Sequence, residues 1–304
     1  MKNLILLVTG FVMLIKGADV FVESSSSIAR RFKIPSIIIG LTIVAMGTSA
    51  PELTVSVTSS LAGMNDMSVA NVVGSNVFNL LMALGVCGMI SKLKITNFKD
   101  VKTLFVTCLT LLVLSLDGVL GLFDGLILLL AFVSFVYDMI KKAKNNNEEI
   151  EEETKQRNIF LTIVLGLLGL GAVVLGGDLV VNSASAIAKT LGMSENLVGL
   201  TIIAIGTSLP EFVTSVIATK KGEIEIAVGN IIGSNIFNVL LILGVASTIT
   251  PITISLVTLI DIVFMVSTVI LLILMTFKKK EINRYMGIPM VMIYVTYIIF
   301  TIVR

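Results

Sequence analysis

Residues 17–86 align without a gap on residues 176–245, at a constant offset of 159. Gly40-Leu41-Thr42-Ile43 is answered by Gly199-Leu200-Thr201-Ile202, and Gly47-Thr48-Ser49-Ala50-Pro51-Glu52 by Gly206-Thr207-Ser208-Leu209-Pro210-Glu211. Asn71-Val72-Val73-Gly74-Ser75-Asn76-Val77-Phe78-Asn79 returns as Asn230-Ile231-Ile232-Gly233-Ser234-Asn235-Ile236-Phe237-Asn238. The polar positions repeat as faithfully as the apolar ones, so a shared hydrophobic composition does not account for the match. Whatever this chain folds into is built twice from one plan.

The solvent of that fold follows from composition. Hydrophobic residues make up 56% of the 304 and charged ones only 14%, with a mean hydropathy of +1.03. Soluble domains carry about a quarter charged residues, so a water-facing exterior cannot be assembled here. A spanning helix takes about 20 apolar residues. Ten such stretches lie near 3–22, 34–62, 67–91, 101–118, 120–141, 157–182, 193–218, 223–248, 252–277 and 285–303. The apolar runs are continuous, which excludes the alternating strands of a membrane barrel. The first run is expected to be a retained helix: Lys16 and Asp19 stand where a cleavage site would follow, and a related sequence recurs in mid-chain.

Basic residues set the orientation. Arg30, Arg31, Lys33; Lys92, Lys94, Lys99; Lys141, Lys142, Lys144, Lys155, Arg157; Lys220, Lys221; and Lys278, Lys279, Lys280, Arg284 all fall in one alternate set of loops, leaving Lys2, Lys189 and Arg304 for the other side. Cytoplasmic loops are the basic ones, so both termini are expected outside and the 141–157 linker in the cytoplasm of a multi-pass cell-membrane protein. Five spans per half make the second half enter from the opposite face. The expected fold is therefore an all-α integral membrane protein of ten transmembrane helices in two inverted five-helix repeats. The first repeat covers 1–140, with its core at 17–86. The charged linker 141–157 follows, and the second repeat covers 158–304, with its core at 176–245. Such inverted halves are common in alternating-access carriers. The acidic run around Glu148–Glu153 lacks the spaced ligands and glycine of a calcium loop and reads as a solvated tether.

Within the spans, Glu52 and Glu211 are the charges that need a reason. Each follows Gly-Thr-Ser-x-Pro, and proline and glycine together are expected to break helices two and seven at Gly47–Pro51 and Gly206–Pro210. Such a break offers the carbonyls of Ala45, Thr48, Ala204 and Thr207, with the hydroxyls of Thr48, Ser49, Thr207 and Ser208 beside them. On the following helices Ser75 and Asn79, and likewise Ser234 and Asn238, share a face at four-residue spacing, and Asn71 and Asn230 extend it. Gly74 and Gly233 are placed to let these helices approach their neighbours. Serine, asparagine and glycine also serve simply to glue membrane helices together, and that reading stands for any one of them. It does not stand for two acids without a basic neighbour in their own helices. Hard oxygens of this kind suit Ca²⁺ and Na⁺. Two carboxylates match one Ca²⁺, or two or three Na⁺, and one cavity taking either set but not both gives obligatory exchange.

The remaining features bound the function from outside. No histidine is present, and Cys87 and Cys108 lie singly in apolar stretches, so zinc or soft-metal chemistry has no ligands. No cofactor, nucleic acid or protein partner is implied, and an intramembrane enzyme lacks its nucleophile or metal dyad. Asp19 is expected to make a local ion pair with Lys16 one turn away or to serve the helix end, and Asp261, whose repeat counterpart is Lys102, to be structural or peripheral.

The paired Gly-Thr-Ser-x-Pro-Glu and Gly-Ser-Asn-x-Phe-Asn motifs resemble the two alpha-repeats of the cation/calcium exchanger superfamily, most closely its prokaryotic sodium/calcium branch. The resemblance implies a four-site cluster at the bilayer midplane. Calcium would be held by Glu52, Glu211 and the Thr48 and Thr207 carbonyls. Sodium would be held by Ala45, Ser49 and Ser75 in one half and by Ala204, Ser208 and Ser234 in the other, with Asn79 and Asn238 lining the middle. It also implies that helices one and six slide past the other eight. Some relatives, potassium-dependent ones among them, carry Asp where this chain has Asn79 or Asn238, which weighs against potassium co-transport. A proton-coupled calcium exchanger is the alternative, although the Gly-Asn-Ala-x-Glu-type motif of that branch is absent.

Overall fold

The computed structural model describes residues 2–62, 65–95, 98–145, 158–193, 204–277 and 280–303. The first element, α1, is Lys2–Arg31, 30 residues ending on Arg30 and Arg31. Pro35 then permits a new start, and α2 runs Ser36–Thr48 with a π-helical turn at Gly40–Val44. After it come α3 (Ala50–Leu61) and α4, which is helical over Asn65–Val77, π-helical over Phe78–Ala83 and helical again over Leu84–Ile90. The first half closes with α5 (Phe98–Leu114) and α6 (Leu122–Lys144).

The second half repeats the series. It comprises α7 (Ile159–Thr190), the short α8 (Ala204–Gly206), α9 (Leu209–Lys220) and α10 (Ile224–Ile249, π-helical over Asn238–Leu243), followed by α11 (Leu256–Thr276) and α12 (Arg284–Val303). Of the motifs noted above, Gly199 to Ile202, most of the 141–157 linker, Lys278, Lys279 and Arg304 lie outside the described residues, as do the side chains of 65–67 and Ala204.

Among the described residues, seven helices are long and apolar enough to cross a membrane, and the bent pair α2–α3 makes an eighth. Their exteriors are apolar: Leu4, Ile5, Val8, Phe123, Leu130, Leu167 and Leu168 are all exposed, while Ser49, Glu52, Ser75, Asn79, Glu211, Ser234 and Asn238 are buried. A water-soluble protein distributes these residue types the other way round. The helix α10 is the axis of the molecule, with 94% of its apolar window buried; α4 follows at 72%, against 22% for α6 and α12. The two elements carrying the Gly-Ser-Asn motifs are therefore those most shielded from lipid.

Glycine governs how the helices meet. On α1, a methyl group at Gly10 would stand 2.9 Å from the carbonyl oxygen of Gly176, and one at Gly17 would stand 2.8 Å from that of Gly169. Gly10 and Gly169 are repeat equivalents, as are Gly17 and Gly176, so α1 and α7 pack antiparallel through their own corresponding glycines. Small residues of this kind allow backbones to touch where no hydrophobic effect drives association.

Apart from helices, the described residues form two small antiparallel bridges. The strand β1 (Leu93–Lys94) pairs with β4 (Glu281–Ile282), and β2 (Val119–Leu120) with β3 (Ile252–Thr253). Each joins a loop of one half to a loop of the other.

At the rim, Arg30 pairs with Glu223 at 2.8 Å, and Lys142 lies 3.2 Å from Asp100 and 3.0 Å from Asp138. Asp19 departs from expectation. Its partner is Lys221 at 2.9 Å, which also reaches Glu23 at 3.4 Å. A residue 202 positions away takes the place proposed for Lys16, because the α9–α10 loop folds back onto α1.

Candidate ion-binding site

Two interrupted helices build the site. The chain leaves α2 at Ser49 (φ −82°, ψ 10°) and re-enters a helix at Ala50, with Pro51 in the first turn and the axis bent by 48°. Ser208 (φ −89°, ψ 3°) does the same before Leu209 and Pro210. Proline is tolerated there because first-turn amides have no intrahelical acceptor to lose. The expected five-residue breaks thus contract to Ser49 alone in the first copy and to Thr207 and Ser208 in the second. Glu52 and Glu211 fall in the first turns of α3 and α9, where free amides and the helix dipole favour negative charge.

The breaks free less backbone than expected. The Ala45 carbonyl takes the amide of Ser49 at 3.0 Å and is approached by the Ser234 hydroxyl at 3.5 Å. The Thr48 hydroxyl reaches it too, at 3.3 Å, so its lone pairs are already shared among protein donors. In the second copy the Ser208 amide reaches the carbonyl of Ile205 at 3.2 Å, one residue nearer than Ala204, which begins α8.

The side chains cross between halves. Ser49 donates to Glu211 Oε1 at 2.7 Å, not to Glu52 three residues away. Ser208 lies 3.2 Å from Glu52 Oε1 and 2.9 Å from Ser75 Oγ. Ser75 also reaches Glu52 Oε1, at 3.2 Å. The Asn238 amide donates to Ser75 Oγ at 3.2 Å and to Asn76 Oδ1 at 3.0 Å. Each glutamate is thus held by the serine of the opposite break. The structure buries two hydrogen-bonded sets side by side, Ser208, Ser75 and Asn238 about Glu52 and Ser49 about Glu211, with Ala45 and Ser234 against the cluster's edge.

What the cluster lacks defines its chemistry. Glu52 Oε2, Glu211 Oε2, Asn238 Oδ1 and both amide atoms of Asn79 are buried without a hydrogen-bond partner, and all four residues are fully buried. A bare buried polar atom costs about 1–3 kcal/mol, and a charged one more. Two carboxylate oxygens and two amide oxygens, surrounded by hydroxyls, are donors suited to a hard cation. Among the described residues no group of three or more His, Cys, Asp or Glu exists, so the site offers two charges and otherwise neutral oxygen.

Asn71 and Asn230, which could join the ligand face, bond neighbouring helices. The Asn71 amide donates to the Glu52 carbonyl at 3.4 Å and to Ser56 Oγ at 3.1 Å, while its oxygen accepts from Thr207 Oγ1 at 3.4 Å. Asn230 makes the equivalent set with Glu211, Ser215 and Thr48 at 3.2, 2.9 and 3.1 Å. Sequence reasoning passed over Ser56, Ser215 and the linking Asn76. The signal was there, since Ser56 and Ser215 sit at the repeat offset, but nothing local distinguishes them from glue.

Of the two glycines, Gly233 packs as expected, with backbone atoms of Leu41 against it. Nothing described lies against Gly74; the residues equivalent to Ile37 and Leu41, at 196 and 200, are outside the described set. Asp261 stands apart from the cluster, accepting from the Tyr297 hydroxyl at 3.2 Å.

Known proteins share this architecture. The family described as sodium/calcium exchanger protein matches residues 2–141 and 161–303. The putative antiporter CaxA of Alkalimonas amylolytica is 39% identical, over 96% of each chain. The sodium/calcium exchanger MaX1 of Methanosarcina acetivorans is 29% identical, over 98% of this chain and 97% of its own. The solved structure of the sodium-calcium exchanger NCX_Mj soaked with Na⁺ and Ca²⁺ superposes with a TM-score of 0.88 at 29% identity, covering 98% of both chains.

Proposed function

The chain belongs to the sodium/calcium exchanger protein family, and on that footing we propose that it is a secondary antiporter exchanging Ca²⁺ for Na⁺ by alternating access. The observation that carries the proposal is the pair of buried glutamates whose outer oxygens have no protein partner. In this reading Ca²⁺ binds between Glu52 and Glu211 with the Thr48 and Thr207 carbonyls. Na⁺ ions occupy positions at Ala45, Ser49 and Ser75 and at Ala204, Ser208 and Ser234, and Asn79 and Asn238 line the middle. Ca²⁺ and Na⁺ compete for the same carboxylates. One Ca²⁺ cancels their charge, as do two Na⁺, so an empty site carrying two bare charges is the costly intermediate and exchange is favoured over leak.

The proposed frame has ten spans in two inverted halves, 1–140 and 158–304, joined by the 141–157 linker. Its spans are α1, α2–α3, α4, α5 and α6, then α7, α8–α9, α10, α11 and α12. Support comes from the antiparallel contact of the equivalent helices α1 and α7 and from the reciprocal bonds at the breaks. The loops that pair with each other also lie on a common side in this scheme: Arg30 with Glu223, and β1 with β4, at the basic face. That face is read as cytoplasmic, with both termini outside the cell membrane. The surrounding lipid bilayer is the one partner proposed, and no resident cofactor is.

The test is uptake of radioactive calcium into proteoliposomes loaded with sodium, with choline-loaded vesicles and an imposed pH gradient alongside. Uptake that needs internal sodium is the expected result, and Glu52→Gln and Glu211→Gln abolish it in folded protein. Uptake driven by the pH gradient alone makes the protein a proton-coupled exchanger. Uptake needing added potassium makes it potassium-dependent, an outcome that the neutral Asn79 and Asn238 argue against.

A further inference from the structure

We infer that Asn71 and Asn230 are positioning residues that set the width of the ion cavity, and through it the discrimination among divalent cations; this rests on the site proposed above. Each amide ties three elements together. Asn230 sits on α10, grips the backbone of the carboxylate-bearing helix α9 at the Glu211 carbonyl and Ser215 (3.2 and 2.9 Å), and accepts from Thr48 at the opposite break (3.1 Å). Asn71 on α4 does the same for Glu52, Ser56 and Thr207. One side chain therefore fixes the distance from a glutamate to the facing threonine, whose carbonyl is a ligand in the site proposed above. Selectivity among hard divalent cations depends on cavity size and rigidity, and these are the bonds that tie the cavity walls together at a fixed spacing.

The threonine hydroxyl has backbone acceptors within reach as well. Thr48 Oγ1 also lies 3.1 Å from the Val44 carbonyl and 3.3 Å from that of Ala45. The Ala45 carbonyl already accepts the Ser49 amide, whereas the amide oxygen of a fully buried Asn230 pays the full cost of going unpaired. The two braces are unequal, at 3.1 Å for Thr48–Asn230 and 3.4 Å for Thr207–Asn71. The first is the tighter control.

Thr48→Val removes the hydroxyl and leaves the backbone carbonyl and side-chain shape in place; Thr48→Ser restores the hydroxyl. In sodium-loaded proteoliposomes, calcium and strontium uptake are measured in parallel for both variants, for the Thr207 pair and for Glu52→Gln. With Thr48→Val the KM ratio of calcium to strontium shifts toward the larger ion by about fivefold, the factor corresponding to one net hydrogen bond. Thr48→Ser returns it to the wild-type value, and Thr207→Val shifts it less. A merely structural threonine lowers both rates together and leaves the ratio alone. An unchanged ratio in Thr48→Val, with Glu52→Gln inactive, overturns the brace while the site stands. Calcium transport surviving in Glu52→Gln overturns the site, and the brace with it.

Discussion

Gly233→Ala is the smallest change that reaches the site without replacing a proposed ligand. The new methyl group would stand 2.6 Å from the Leu41 carbonyl oxygen, 2.7 Å from Leu41 Cα and 2.8 Å from Ala45 Cβ. Ordinary contact begins at 3.4 Å, so α2 must retreat from α10 by about 0.8 Å, the difference between 3.4 and 2.6. Two of those atoms are backbone and the third is bonded to it, so none can swing aside. The segment that moves carries Ala45, Thr48 and Ser49. Calcium–oxygen distances span only about 0.3 Å, and a misplacement of about 1 Å can cost 10²-fold in rate. The overpacking itself costs about 1–3 kcal/mol, which lowers stability without unfolding the protein. Sodium-dependent calcium uptake in proteoliposomes is expected to fall at least tenfold, to within the hundredfold bound given by displacement. The protein still elutes as a single folded species from a sizing column. Gly171→Ala is the control, since nothing described lies within 4 Å of its new methyl. Folded Gly233→Ala that exchanges at the wild-type rate refutes the claim that α2 delivers ligands to the site.

Three further outcomes are expected. Asn238→Asp replaces the donor to Asn76 Oδ1 with a third negative charge, so the KM for calcium and the maximal rate should both fall, by about tenfold for each 1.4 kcal/mol of added attraction; a KM that rises removes Asn238 from the cation-lining wall. Arg30→Ala breaks the pair with Glu223, but the two side chains are 40% and 24% exposed, so thermal unfolding in detergent should show a loss below about 1 kcal/mol; a much larger loss means the rim clamp is stronger than its exposure allows. Cys87 and Cys108 are both fully buried and free, so a maleimide should label neither in folded protein and both after denaturation, read by mass; rapid native labelling of either contradicts the packing of α4 or α5.

The sequence carried the plan of the molecule because the repeat preserved it twice. The breaks, the two acids and the Gly-Ser-Asn face were legible, since proline, glycine and charge have few other uses inside a membrane helix. Pairing across the halves was not. Ser49 stands three residues from Glu52, and proximity along the chain favours that bond; the bend turns Ser49 toward Glu211 instead. Asn71 and Asn230 carried the right residue type on the right face, but whether an amide meets an ion or braces a neighbour depends on what lies opposite it. The same holds for Lys221, which displaces Lys16 as the partner of Asp19 through a contact that no local pattern announces.

The crossed bonds at the two breaks also bear on how the protein is made. Glu52 relies on Ser208, 156 residues further along the chain. At about 5–20 residues per second of synthesis, that partner arrives roughly 8–30 s after the glutamate has been made. Throughout that interval the first half sits in or near the membrane with Ser75 in place but Ser208 still missing from the two hydroxyls that hold Glu52, and the acid has to remain partly hydrated until α9 and α10 close over it. A half-chain made alone never reaches that point. The smallest assembly able to complete this site is two halves facing each other, whether or not a linker joins them.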